Sequence, residues 1–323
     1  MSSKNGTFAP ALNCVAEALA AYETALTVKL PQSPTVDTLQ RIAEVYTELG
    51  EPAQAIARYE EILTQARTAW YRSFILYRLG MAYEEAGQAE KARNTFLQVM
   101  KDYPDSSLAL PSLEALDKLA GGGPDSFQRA LVYFYAGKYV EAIATWRRYI
   151  EVTPLGDGTG WARYYIGLSY QRQGEYRQAA TEFDTLIRLY PRGSILADAR
   201  LAKARSYQSL GDEIAAATEY LTVARYYPGT PQAERGLWEG GLARYRLGDV
   251  TGAAAAWQES LAAYPQSSTR TRSLFWLGKA LLAQGKTTEG RRYLSQAAAQ
   301  KPPAHYALRA AELLEDKPLV ATR

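Results

Sequence analysis

Glycine recurs in this chain at positions 50, 87, 137, 174, 211, 248 and 285, and every interval is 37 residues except the one of 50 between Gly87 and Gly137. Proline recurs at 104, 154, 191, 228, 265 and 302, again at 37 except for one interval of 50 between Pro104 and Pro154. Two series that slip together at the same place belong to one repeating unit and not to independent loops. A chain built this way stacks copies of one small supersecondary unit, which restricts it to repeat architectures.

The residues around each glycine say what the unit is. An aromatic residue sits four positions before it in Tyr46, Tyr83, Tyr133, Tyr170 and Tyr207. A small residue sits five after it (Ala55, Ala92, Ala142, Ala179, Ala216, Ala253, Gly290), and a bulky one nine after it (Tyr59, Phe96, Trp146, Phe183, Tyr220, Trp257, Leu294). This spacing fits two helices joined by a turn. The glycine takes the positive φ that ends the first helix. The small residue lets the helices approach, and the bulky one plugs the gap between them. Proline then stops the second helix, often after Tyr, as in Tyr190-Pro191 and Tyr227-Pro228. The unit resembles the tetratricopeptide repeat with three residues added to its usual length of about 34. The fold expected is all-α, a right-handed superhelical solenoid of about seven such helix-turn-helix repeats.

Two departures mark the organisation. The extra residues between Pro104 and Gly137 hold a helical stretch, Leu108 to Leu119, followed by Gly121-Gly122-Gly123-Pro124, which reads as a break. The expected layout is therefore residues 1–120 with a capping helix (11–30), two repeats and the extra helix; the break at 121–124; and residues 125–323 with five repeats and a closing helix over 304–316. Caps of this kind are what a solenoid needs at its ends.

Composition narrows the chemistry. A single His (His305) and a single Cys (Cys14) exclude a disulfide framework and most His- or Cys-based metal sites, so no metal and no cofactor is expected. The net charge of +3 does not imply a nucleic-acid partner, although residues 159–323 carry 22 Lys and Arg against 15 Asp and Glu. No apolar run is long enough to cross a membrane, so no membrane insertion is expected. Near the N-terminus, Glu17, Glu23 and Lys29 interrupt the apolar residues at helical spacing, which reads as an amphipathic helix instead of a signal peptide.

Several motifs are absorbed by the repeat. The stretch from Ala280 to Thr287 imitates a phosphate-binding loop, but its Gly285 is the seventh repeat glycine and lies between two helices, where such a loop needs a preceding strand. The segment from Gly156 to Gly160 joins two repeats. Glu259-Ser260 carries the Glu-Ser pair of lytic transglycosylases, yet it falls on a second helix two residues after the plug Trp257 and reads as solvated. Asp212-Glu213 and Glu84-Glu85 sit beside turn glycines as turn and capping residues. His305 has no nucleophile nearby, and Arg147-Arg148 and Arg291-Arg292 read as an outward face. The chain thus reads as a non-enzyme with no catalytic residues.

Certain stretches resemble the superhelical, non-catalytic region of bacterial soluble lytic transglycosylases. They are Ser273 to Leu281 (Ser-Leu-Phe-Trp-Leu-Gly-Lys-Ala-Leu), His305 to Leu314 (His-Tyr-Ala-Leu-Arg-Ala-Ala-Glu-Leu-Leu) and Val132 to Ile143. The resemblance runs over about residues 125–316. It implies an extracytoplasmic protein of the cell envelope whose helices support peptidoglycan glycan strands. The sequence ends near where that family's linker to its catalytic domain would begin.

The tetratricopeptide resemblance further implies that ligands bind the concave face lined by the first helix of each repeat. Carried onto this sequence, that face holds Trp161, Tyr164, Arg205, Arg235, Trp238, Tyr245, Arg246, Arg272, Phe275 and Lys279. Aromatic and arginine side chains together suit a peptide anchor or a stacked sugar. The leading expectation is therefore a non-catalytic scaffold of a lytic transglycosylase system that binds peptidoglycan strands or envelope partners, and the alternative is a free-standing adaptor that takes an extended peptide or helix of another protein.

Overall fold

The computed structural model describes residues 17–24, 32–300 apart from 155, 157 and 192, and 305–315. Within these residues the chain is helical, with no strand. A helix α1 covers 17–24; the rest of the expected N-terminal capping stretch, with Cys14, lies outside the described residues, as does Pro302. Seven helical pairs follow, matching the seven repeat glycines. They are α2 (Gln32–Glu48) with α3 (Pro52–Gln65), α4 (Ala69–Glu85) with α5 (Ala89–Asp102), and α7 (Ser126–Tyr135) with α8 (Tyr139–Val152). Then come α9 (Thr159–Arg172) with α10 (Tyr176–Leu189), α11 (Leu196–Ser209) with α12 (Glu213–Tyr226), α13 (Pro231–Arg246) with α14 (Val250–Ala263), and α15 (Arg270–Ala283) with α16 (Thr287–Ala298). The extra helix is α6 (Ala109–Lys118), and the closing helix is α17 (His305–Leu314).

The turn works as the spacing predicts. All seven repeat glycines have positive φ, between 69° and 81°. The amide after each glycine reaches back to the carbonyl four residues before it, as in Gln88 to Tyr83 at 2.8 Å and Asp212 to Tyr207 at 2.9 Å. This closes the first helix with the bond that the left-handed glycine makes possible. Asp212 and Asp249 then cap the second helices by accepting from the amides of Ala215 (2.9 Å) and Gly252 (2.8 Å).

The core follows the same register. The six alanines five positions after the glycines are all fully buried, and Gly290 is buried in the seventh repeat. Of the bulky residues four positions further on, none exposes more than 1% of its surface. At Gly285, the imitation of a phosphate loop is a turn between α15 and α16.

The contacts divide the chain into two compact units, residues 1–149 and 150–323. In the first, a core runs through Leu39, Tyr59, Ile75, Phe96, Leu113 and Val132. Here the extra helix α6 packs Leu113 and Leu116 into the same core as Met100 of α5. The Gly-rich segment lies inside this unit. Arg129 of α7 spans it, donating two hydrogen bonds to Asp117 of α6 at 2.6 and 2.8 Å, and Arg93 of α5 donates to the carbonyl of Ala120. The second unit holds a chain of smaller cores around Phe183, Tyr220, Trp257 and Leu294.

Candidate functional site

The ten residues that the first-helix pattern singles out lie on α9, α11, α13 and α15, all in the second unit. Trp161 opens the row near the start of α9 and is 42% exposed, with its ring edge-on to Tyr164 at 6.1 Å. Tyr164 is half-buried against Phe183 at 5.8 Å. Burial raises its pKa first, and Asp198 adds to that, while Arg205 and Arg235 oppose it. These two arginines therefore belong to the surroundings of Tyr164. Arg235 is exposed and Arg205 half-buried.

A second group forms on α13 and α15. Trp238 and Phe275 are 5% and 6% exposed, so they act as a floor and not as open contact surface. Trp238 packs on the plug Trp257 at 6.0 Å, and Tyr245 meets Trp276 edge-on at 5.3 Å. Two cations lie on this floor. The guanidinium of Arg272 sits 4.2 Å from the Trp238 ring centroid, and the ammonium of Lys279 sits 4.4 Å from Trp276. Burial lowers the pKa of both; at Lys279 the charge of Arg309 lowers it further, whereas Glu239 and Glu234 act against the burial of Arg272. Rings hold both cations by their electron-rich faces.

Arg246 stands apart from this group. It is exposed and pairs with Glu213 of α12 at 3.2 Å. Three residues not singled out by the sequence complete the cluster: Trp276, Tyr306 at 5.5 Å from Phe275, and Arg309. The repeat itself carried the signal for one of them, since Arg235, Arg272 and Arg309 are spaced by 37. In the first unit, Trp70 of α4 is 68% exposed and stacks on Phe74 at 6.1 Å, beside a groove lined by Asp37, Gln40 and Tyr71. The run of aromatics at 70, 71, 74 and 77 marks it in the sequence.

The motifs set aside above sit as follows. Glu259 is exposed on α14, Asp212 caps α12, and His305 lies exposed at the start of α17 against Tyr306. Among the described residues, no group of three His, Cys, Asp or Glu side chains is placed to hold a metal ion, and no helix is long and apolar enough to cross a membrane.

Comparison with known proteins bears on the repeat. One tetratricopeptide-repeat model matches residues 37–68, 75–106, 161–192 and 272–302, and a second matches 201–268. No curated protein sequence matches the chain. Among solved structures, it is similar to a signal-transduction ATPase with a tetratricopeptide-repeat sensor from Pyrococcus horikoshii, at 15% identity and a TM-score of 0.50, covering 87% of this chain and 44% of that one. It is also similar to PilW, a type IV pilus biogenesis factor, at 17% identity and 0.46, covering 74% and 98%. A tetratricopeptide-repeat protein from Parabacteroides merdae matches at 14% identity and 0.38, covering 87% and 99%. At these identities the likeness concerns the fold alone. The two repeat models together take in more than half of the chain, and their matches fall on the helical pairs described above: this chain belongs to the tetratricopeptide-repeat family.

Proposed function

We propose that this protein is a non-catalytic scaffold that binds an extended peptide or helix of a protein partner along the first helices of its second unit. A tetratricopeptide scaffold suggests protein–protein interaction, and one observation supports a binding role for these helices in particular. Trp161 leaves 42% of its surface in solvent, whereas Trp238 and Phe275 of the same expected face are 5% and 6% exposed. An exposed Trp edge-on to Tyr164, a tyrosine on which the exposed Arg235 acts by its charge, has the composition of a binding hot spot.

The reading as the superhelical part of a lytic transglycosylase system in the cell envelope, with peptidoglycan strands as ligand, rests on the resemblance of 273–281 and 305–314. Sugar stacking needs an open aromatic face, and Phe275 in the first of those stretches is buried. The peptide reading is therefore the better supported.

The test is selection of a displayed peptide library on the purified full chain, followed by calorimetry of an enriched peptide against the protein and its Trp161→Ala variant. Micromolar binding that weakens about tenfold in the variant supports the reading. Enriched peptides that bind the variant equally well would refute it. So would binding of purified glycan strands with no peptide enrichment.

A further inference from the structure

Trp70 borders two grooves at once. The first, of about 540 Å³, is lined by Asp37 and Gln40 of α2, by Arg67 of the loop before α4, and by Trp70 and Tyr71. The second, of about 230 Å³, shares Trp70 and holds Tyr103, Asp105 and Ser106 of the segment after α5. Both lie at the end of the helical pairs away from the turn glycines, because α4 begins at Ala69 and its glycine is Gly87. The rings here form one surface. Trp70, Tyr71 and Phe74 lie within 27° of parallel, with centroids 6.1 to 6.4 Å apart. The Tyr71 hydroxyl donates to Gln40 at 2.9 Å, and Trp70 keeps 68% of its surface in solvent. An exposed indole face attracts a cation more strongly than any other side-chain ring. A guanidinium is planar and weakly hydrated, so it stacks on such a face while its N–H edge stays free for a carboxylate.

The charges around these rings favour a cationic visitor. Asp37 and Asp105, one in each groove, are exposed, and among the described residues neither is within ion-pair distance of a cation. Two arginines share this edge. Arg72 is half-buried and donates to the carbonyls of Leu63 and Ala66 at 3.0 and 3.1 Å and to the Tyr103 hydroxyl at 3.1 Å, which ties α3 and the segment after α5 to α4. Arg67 is exposed at the border of the first groove. Neither governs the charge felt by the Tyr71 hydroxyl. Burial raises its pKa first, Asp37 and Glu44 raise it further, and no cation lowers it. The wider surroundings agree, since residues 1–158 carry 19 Asp and Glu against 15 Lys and Arg.

We infer that Trp70 and Asp37 form a cation-binding subsite that receives an arginine side chain from a basic segment of a protein partner. The guanidinium stacks on the Trp70 indole and donates to the Asp37 carboxylate. Asp105 takes a second basic residue of the same segment where it crosses into the neighbouring groove. This site belongs to the first unit and stands apart from the peptide site proposed on the second.

The experiment uses the purified full chain and fluorescein-labelled peptides of equal length in which Gly alternates with Arg, with Lys or with Gln. Anisotropy titrations are run at about 50 mM salt. The net charge of +3 offers a basic peptide no general attraction, so binding reports a local site. The Arg peptide is expected to bind at least about threefold more tightly than the Lys peptide and at least about tenfold more tightly than the Gln peptide. It should lose about fivefold in Trp70→Ala and about threefold in each of Asp37→Asn and Asp105→Asn. Glu259→Gln, on α14 of the second unit, removes the same charge elsewhere and leaves binding unchanged. Circular dichroism reports whether each variant folds, and Asp37→Asn carries the test where Trp70→Ala does not. A Lys peptide that binds as tightly as the Arg peptide overturns the stacked guanidinium. Preference for Arg that survives Trp70→Ala and Asp37→Asn, or that falls equally in Glu259→Gln, overturns the assignment to these residues. Failure of all three peptides overturns the subsite, and the library selection above decides the reading of the second unit separately.

Discussion

The backbone of Gly241 lies against the indole of Trp257, so close that a Cβ at position 241 would stand 2.6 Å from the ring nitrogen. The same relation recurs at Gly80 with Phe96 and at Gly167 with Phe183, each at 2.6 Å. Each glycine gives the plug of its own repeat a flat surface to rest on. Replacing a mid-helix Gly by Ala ordinarily stabilises by about 1 kcal/mol through helix propensity. Here the added methyl meets a fully buried ring, and overpacking costs about 1–3 kcal/mol. Gly241→Ala is therefore expected to lower the urea midpoint instead of raising it. The double variant Gly241→Ala/Trp257→Leu should lose less than the two single changes added together.

Asp117 and Arg129 hold α6 to α7 across the Gly-rich segment. The hydrogen bonds from Arg129 hold the Asp117 carboxyl below its usual pKa, burial working against them. A depressed carboxylate contributes stability that is present above its unfolded pKa of about 3.9 and is lost as pH falls through the folded value. Asp117 keeps 44% of its side chain in solvent, so screening limits the pair to about 0.5–1 kcal/mol. Asp117→Asn should lower the thermal midpoint slightly at pH 7, and the gap to the parent protein should close as pH falls from about 4 to about 2. A difference that persists unchanged at about pH 2 would show that the ion pair is not its source.

Much of the fold was legible because a repeat constrains each position many times over. The seven turn glycines, the buried alanines and the plugs were all readable from spacing, and so was the extra helix α6. The small residue seven before each turn glycine, Ala43, Gly80, Ala130, Gly167, Ala204, Gly241 and Gly278, is equally periodic, but at Gly80, Gly167 and Gly241 its partner is a ring on the opposing helix. Only packing reveals that. The candidate site was legible by helix and not by depth. Trp238 and Trp161 belong to the same expected face, yet one is 5% and the other 42% exposed. Which aromatic forms the floor depends on the neighbouring repeat, where Arg272 lies over Trp238 and nothing in the spacing announces it.

Lys203 is buried on α11 with its ammonium 2.8 Å from Asp184 and 2.9 Å from Glu219. Burial lowers its pKa, and the hydrogen bonds it donates to the two carboxylates outweigh that, so the net shift is upward. A raised lysine contributes stability that is complete below its unfolded pKa of about 10.4 and is lost as pH climbs through the folded value. Lys203→Met should destabilise by about 1–3 kcal/mol at pH 7, because it leaves Glu219 with Arg200 alone. Urea unfolding at pH 7 and pH 11 checks it: the gap between variant and parent should narrow at the higher pH.

Tyr83 closes α4 and donates its hydroxyl hydrogen to the Glu60 carboxylate of α3. Burial raises its pKa first, the hydrogen bond and the charge of Glu60 raise it further, and the result is about 12. Tyr46, bonded to Glu23 at 2.9 Å, is raised by the same kind of bond. A phenol whose folded pKa lies above its unfolded value of about 10 stabilises the fold below pH 10 and ceases to do so as pH passes the folded value. The difference in phenolate absorbance between the parent protein and Tyr83→Phe isolates this one ring among 24 tyrosines. That difference should stay flat through pH 10 and rise only near pH 12, and Glu60→Gln should move the rise to lower pH by removing the negative charge. A difference already rising at pH 10 in the parent would mean that Tyr83 does not share its proton with Glu60.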